Sequence, residues 1–71
     1  MRIAINGEER EIDGGELTLA ALVEHLGMKS DRVAVELNRE IVARERWPGT
    51  RLREGDRLEI VHFVGGGRFS F

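Results

Sequence analysis

The 71-residue sequence contains no cysteine. Disulfide bonds, thiolate metal sites and a cysteine nucleophile are therefore excluded. The two histidines, His25 and His62, lie far apart in the sequence and belong to no cluster of ligand-type residues, so we expect no bound metal. A Ser-His-Asp set and a phosphate-binding loop are also missing, and we expect that the chain by itself is not an enzyme.

Long apolar runs are absent as well. No segment approaches the ~20 apolar residues of a membrane-spanning helix. The basic-then-apolar opening of a secretory signal is not seen at the N-terminus. We therefore expect a soluble, cytoplasmic domain that does not bind a membrane.

Positive charge is not in excess, because the formal net charge is −2. This argues against a general nucleic-acid binder, since the phosphate backbone favours clustered positive charge. Six arginines nevertheless crowd one region: Arg39, Arg44, Arg46, Arg51, Arg53 and Arg57. We interpret them as a solvated loop surface, ahead of a docking surface for an acidic partner and of nucleic-acid binding.

What the sequence does contain is a clear order of local patterns, beginning with a hairpin and a helix. Residues 2–5 alternate as a strand does, and the following Asn6-Gly7 is a strong signal for a hairpin turn. Apolar residues then recur at helical spacing over 18–26, with Thr18 placed to cap the start of that helix.

Three further strands are predicted, at 32–37, 40–42 and 57–64. Because a helix joins the hairpin to the later strands, the first and last strands can lie parallel and adjacent. The expected fold is α+β, with one helix packed on one face of a mixed sheet of four to five strands. We expect residues 1–64 to form this domain and residues 65–71 to form a flexible glycine-rich tail. The predicted core is Leu19, Leu22, Leu26, Val35, Leu58 and Ile60.

The last strand presents apolar side chains to the sheet face that the helix does not cover. Glu59, Val61 and Phe63 alternate with the core residues, so they lie on the opposite face. An exposed apolar patch usually marks a partner site. In a competing arrangement, Trp47 or the 43–53 segment folds over Val61 and Phe63.

Several short motifs occur together in this order of elements. They are Asn6-Gly7-Glu8, Val35-Glu36-Leu37-Asn38, Val42-Ala43-Arg44, Trp47, Gly55-Asp56 and the run from Glu59 to Gly67. This set resembles the ThiS family, the sulfur carriers of thiamin biosynthesis, which have a ubiquitin-like β-grasp fold. The resemblance covers nearly the whole chain up to Gly67.

The resemblance implies a function for the C-terminal glycines. In such a carrier a ThiF-like adenylating enzyme uses ATP to activate the terminal glycine, here Gly67 preceded by Gly66. A cysteine desulfurase relay then supplies sulfur, and a ThiG-like thiazole synthase takes it from the resulting thiocarboxylate. The chain itself would bind no cofactor. The partner-binding residues are then Glu59, Val61, Phe63, Val64 and Gly65.

The sequence departs from the family pattern in one respect, because Arg68-Phe69-Ser70-Phe71 follows the glycines. Gly67 as encoded has an amide carbonyl instead of a carboxylate and cannot be adenylated. A precursor clipped by a peptidase, a non-native addition, and a protein that has left sulfur chemistry are the three explanations. We favour clipping, because everything upstream resembles the carrier.

Two other functions compete with the thiamin assignment. One is a molybdopterin-type sulfur carrier or a ubiquitin-like modifier that uses the same terminus. The other is a β-grasp interaction or RNA-binding module, with the arginines as its surface.

Overall fold

The computed structural model describes residues 1–13, 16–64 and 68–70 of the chain. One α-helix and six strands form most of this part. The strands are β1 (Arg2–Ile5), β2 (Glu8–Glu11), β3 (Val33–Leu37), β4 (Glu40–Ile41), β5 (Arg57–Val64) and β6 (Arg68–Ser70), and the helix is α1 (Leu19–His25). Two short 3₁₀ helices cover Ser30–Arg32 and Arg44–Gly49.

The strands form one mixed sheet in the order β2-β1-β5-β3-β4, and β6 also pairs with β5. β1 and β5 are parallel and adjacent, which confirms the crossover predicted from the sequence. The other strand pairs are antiparallel. This α+β arrangement, with α1 over the sheet, is the predicted β-grasp fold. Within the described residues, no helix is long and apolar enough to cross a membrane.

The hairpin between β1 and β2 turns at Asn6 and Gly7, as the sequence predicts. Both residues have positive φ, 51° and 84°, the combination that a type I′ turn requires. Ile12 follows the polar strand β2 and is buried, and its N–H donates to the Met1 carbonyl at 2.8 Å. Ile12 thus adds a buried apolar side chain directly after the paired residues of the hairpin.

The helix begins where its sequence signals place it. The Thr18 Oγ1 accepts a hydrogen bond from the Ala21 N–H at 3.1 Å, which satisfies one of the unpaired first-turn donors. Gly27 has a φ of 74°, in the left-handed region typical of a helix end. The predicted helix, 18–26, is one residue longer at each end than α1, because Thr18 and Leu26 are its N-cap and C-cap.

The core lies between α1 and the inner face of the sheet. Of the six residues predicted for it, five are buried: Leu19, Leu22, Val35, Leu58 and Ile60. Leu26 is half-buried, because it caps the helix and the chain turns away after it. The structure adds further buried apolar residues: Ile3, Ile5, Ile12, Val23, Val33, Trp47 and Leu52.

Trp47 lies on the helix side of the sheet. Its side chain is 3% exposed, it borders a cleft with Ala20 and Val23 of α1, and its Nε1–H donates to the Val42 carbonyl at 2.9 Å. The competing arrangement, in which Trp47 covers Val61 and Phe63, is therefore not the one adopted.

Residues 68–70 differ from the prediction of a flexible tail. They form β6 and pair antiparallel with the end of β5, with His62 opposite Ser70 and Val64 opposite Arg68. β3 already pairs with β5 as far as His62, so β6 must lie along the other edge of β5, the β1 side. β1 ends at Ile5, opposite Leu58, which leaves room there for another strand.

Candidate functional site

The predicted partner surface lies on the outer face of the sheet, away from α1. Residues directly opposite in a sheet share a face. Val61 faces Ala34, and Glu59 faces Glu36, on the side opposite to the buried Leu58 and Ile60. The alternation read from the sequence thus places Glu59, Val61 and Phe63 on the face predicted for them.

Half of this face is apolar. Val61, Phe63 and Ala34 are half-buried, and no helix covers them among the described residues. Ile41 stands opposite Glu36 on β4 and is 81% exposed. The sequence reading did not identify Ile41, because a two-residue strand gives no periodicity from which its face could be read. Val61, Phe63 and Ala34 form an apolar surface suited to a protein partner, and Ile41 lies on the same face beside Glu36.

The other half of the face is charged. Glu36 and Glu59 are cross-strand neighbours, and like charges in that position repel each other. Arg57 stands two residues before Glu59 on the same face, opposite Ala4. This half therefore carries charges of both signs beside the apolar half.

The main chain of β5, which leads into the glycines, is held by two asparagine side chains. The Asn6 Oδ1 accepts from the Ile60 N–H at 2.7 Å, and its Nδ2 donates to the Ile60 carbonyl at 3.2 Å. At the start of the strand, the Asn38 Oδ1 accepts from the Arg57 N–H at 3.0 Å. Both asparagines have positive φ, 51° and 50°, in the turns after β1 and β3. The sequence identified Asn6 as a turn former, but the side-chain contacts of both asparagines to β5 were not predicted.

The glycines predicted to carry the chemistry, Gly66 and Gly67, lie outside the described residues, as does Gly65. β5 ends at Val64, so the sheet extends to the residue directly before them. The roles predicted for Glu59, Val61, Phe63, Val64 and Gly65 in partner binding stay predictions.

A cleft lies between the same end of β5 and the segment that follows α1. It is lined by Met28, Lys29, Arg32, Ile60, His62 and Phe63, together with Asn6 and Gly27. His25 and His62 are both exposed, on α1 and β5 respectively. Among the described residues, no three His, Asp or Glu side chains are grouped so as to hold a metal ion.

The arginines do not form one compact element. They are distributed over the β3–β4 turn, the second 3₁₀ helix, the segment before β5, and β5 itself. Arg51 donates to the Glu16 carboxylate at 2.8 Å, so it is engaged within the molecule. The pKa of Glu11, on the edge strand β2, is lowered chiefly by its hydrogen bond to the N-terminal ammonium, and further by that group's charge and by Arg2. This ion pair belongs to the hairpin.

Comparison with known proteins identifies the family. The sequence model of the ThiS family matches residues 3–67, from the first strand to the last glycine of the run. The chain belongs to the ThiS family. This confirms the resemblance read from the motifs.

Individual relatives agree with the family assignment. The chain is 35% identical over 65 residues to the sulfur carrier protein ThiS of Bacillus subtilis, covering 92% of this chain and 98% of that protein. The crystal structure of the thiamine biosynthesis protein ThiS from Geobacter metallireducens superposes with a TM-score of 0.82 at 35% identity, covering 94% of this chain and 100% of that one.

A third relative is a larger protein. The chain is 46% identical over 67 residues to a thiazole synthase of Paramagnetospirillum magneticum, covering 94% of this chain and 20% of that protein. The chain thus spans about a fifth of the length of the two thiazole synthases it matches.

Proposed function

We propose that the chain is a sulfur carrier of thiamin thiazole biosynthesis and that Gly67 is the residue that carries the sulfur. The observation that supports this most strongly is that the family match runs through to Gly67 while β5 ends at Val64. A rigid strand would therefore lead directly into the side-chain-free residues. In this proposal the chain is a substrate of other enzymes and has no catalytic group of its own.

The proposed chemistry begins with a free carboxylate at Gly67. Attack of this carboxylate on the α-phosphorus of ATP would release pyrophosphate and give an acyl-adenylate on a ThiF-like enzyme. A persulfide supplied through a cysteine desulfurase relay would then displace AMP through its terminal sulfur and give an acyl disulfide. A thiol would attack the sulfur of this bond that is not attached to the acyl group, which releases the thiocarboxylate and leaves a disulfide. The thiocarboxylate formed would donate its sulfur to a thiazole synthase. Activating the acyl group first makes it open to attack by sulfur.

Glycine suits this role for a steric reason. A terminus without side chains can enter a narrow channel and let its backbone approach a nucleotide phosphate. Four extended residues, from Val64 to Gly67, span roughly 13 Å. That length would let the terminus reach a recessed active site while the domain stays outside.

The outer sheet face is the proposed docking surface for the adenylating enzyme. Val61 and Phe63 supply its apolar part and Glu59 its charged part, next to the strand end that leads to the glycines. The two relatives named thiazole synthase support a thiazole synthase as the later partner, since a segment like this chain is joined to the rest of each protein.

The residues after Gly67 require one further step. Hydrolysis of the Gly67–Arg68 peptide bond would give the carboxylate of Gly67 and the free ammonium of Arg68. We therefore propose that a peptidase removes residues 68–71 before activation.

ATP–pyrophosphate exchange with a ThiF-like enzyme tests the proposal. The chain ending at Gly67 should support exchange, and the 71-residue chain should not, because it has no carboxylate at Gly67. If neither form supports exchange, the carrier function is contradicted and an interaction module takes its place. If both do with the tail intact, Gly67 is not the activated residue.

A further inference from the structure

The main-chain groups of β5 alternate between its two neighbours. The Leu58 carbonyl accepts from the Asn6 N–H at 2.9 Å, and both main-chain groups of Ile60 bond the Asn6 side chain. The even-numbered residues of β5 therefore direct their main-chain N–H and C=O groups toward β1. The Arg57 carbonyl instead accepts from the Asn38 N–H at 2.8 Å, on the β3 side, as an odd-numbered residue should.

This alternation determines what β6 covers. His62 and Val64 are even-numbered, so their main-chain groups face the β1 side of β5. They are paired there with Ser70 and Arg68. One edge of β5 is thus occupied along its length, first by the Asn6 main chain, then by the Asn6 side chain, and finally by β6.

Removing residues 68–71 would expose the last part of this edge. β1 cannot replace β6, because it ends at Ile5 and turns away at Asn6. Asn6 cannot do so either, since its amide is already bonded to Ile60. The main-chain groups of His62 and Val64 would then be available to another chain, immediately before the glycines.

We propose that this edge of β5, once β6 has been removed, is where the adenylating enzyme adds an extended segment of its own main chain. The inference deepens the proposed function and rests on it. An unpaired strand edge is a ready template for another strand, and strand addition is a common way of holding an extended peptide. In the uncleaved chain β6 occupies the same edge. The tail would therefore prevent this contact, in addition to leaving Gly67 without a free carboxylate.

The position of the edge indicates which partner would occupy it. His62 and Val64 directly precede the residues that must be held straight during activation. A strand added there would fix the direction of Gly65 to Gly67 at their base, through main-chain contacts that require no particular side chain on the enzyme.

Hydrogen exchange tests the first half of the inference. The amide protons of His62 and Val64 should exchange at least tenfold faster in the chain ending at Gly67 than in the full chain. The Val61 amide, which faces β3 opposite Ala34, is the internal control and should be unchanged. Equal exchange of the His62 and Val64 amides in both chains would show that β6 does not cover this edge.

Two variants of the chain ending at Gly67 test the second half. This shorter chain retains every buried residue of the described core, and the family match also ends at Gly67. Val64→Pro removes the N–H that faces the β1 side, whereas Val64→Ala shortens the side chain and keeps that N–H. Both should melt as the parent does, because β1 and β3 do not pair with Val64.

Titration with a ThiF-like enzyme should then separate the two variants. Val64→Pro should bind about tenfold more weakly than Val64→Ala, as expected for the loss of a main-chain hydrogen bond. Equal affinities, with pyrophosphate exchange intact in both, would overturn the strand addition and leave the carrier function standing. Absence of both binding and exchange in every form would overturn the two proposals together.

Discussion

The Asn6 side chain takes the place of a neighbouring strand for Ile60. Its amide accepts from the Ile60 N–H and donates to the Ile60 carbonyl, 54 positions away in the sequence. A turn residue thereby continues the hydrogen bonding of β1 one step beyond the end of that strand. The hairpin turn and the strand that leads to the glycines are joined by this contact.

Replacing Asn6 by glycine should destabilise the domain. Glycine keeps the positive φ of 51° without strain, so the change isolates the two hydrogen bonds to Ile60. We expect the free energy of unfolding to fall by about 1–3 kcal/mol, since two partly buried main-chain groups lose their partner. Urea denaturation measures this. A change within about 0.3 kcal/mol would show that water replaces the amide at little cost.

Replacing Arg39 by glycine should have the opposite effect. Arg39 has a φ of 72° in the β3–β4 turn, a conformation that is strained for a residue with a Cβ atom. We expect Arg39→Gly to raise the free energy of unfolding by about 0.5–1 kcal/mol. Arg39→Ala is the matched control, because it removes the charge and keeps the strain, and it should leave stability nearly unchanged. Equal gains from both substitutions would assign the effect to charge.

The contrast between the two turns shows what the sequence could predict. Asn6-Gly7 predicted a hairpin because both residues favour positive φ. Asn38-Arg39 also has positive φ at both residues, but with arginine in the glycine position its sequence is a weaker signal for such a turn. The side-chain contacts of both asparagines depend on β5, which is far away in the sequence, and no local pattern reports them.

The core was predicted from the sequence only where its residues follow a regular period. Leu19, Leu22, Leu58 and Ile60 follow clear helical or strand periods, and they are buried. Trp47 and Leu52 lie in a segment without such a period, so their burial on the helix side could not be read from spacing. The pairing of β6 with β5 was missed because a run of glycines favours mobility, whereas the open edge beside Asn6 appears only once the strands are assembled.

Truncation of the core should cost a large part of the stability. Leu22→Ala and Ile60→Ala should each lower the free energy of unfolding by roughly 2–5 kcal/mol, because they leave cavities between α1 and the sheet. Leu26→Ala should cost clearly less, as Leu26 is only half-buried. Thermal melts compare the three. Equal losses would contradict the assignment of Leu26 to the margin of the core.

A charge on the outer face should interfere with docking. In the chain ending at Gly67, Phe63→Asp should weaken binding to a ThiF-like enzyme at least tenfold, because it puts a charge within the apolar half of the face. Its melting temperature should stay close to that of the parent. His25→Asp adds the same charge on the exposed surface of α1 and should bind normally. Loss of folding in Phe63→Asp would instead make Phe63 part of the core.

A bulky residue before the terminal glycine should block activation by its size. Gly66→Leu in the chain ending at Gly67 should abolish pyrophosphate exchange, because a side chain there would obstruct a narrow channel. Stability should not change, since every residue of the described core precedes Gly66 in the chain. Normal exchange by this variant would contradict the requirement for a slender terminus.

The intact mass of the protein purified from its native host tests the central claim most directly. The claim predicts a chain that ends at Gly67, with a fraction about sixteen mass units heavier because one carboxylate oxygen has become sulfur. A population that retains residues 68–71 and carries no added sulfur, during growth that requires thiamin synthesis, would contradict it.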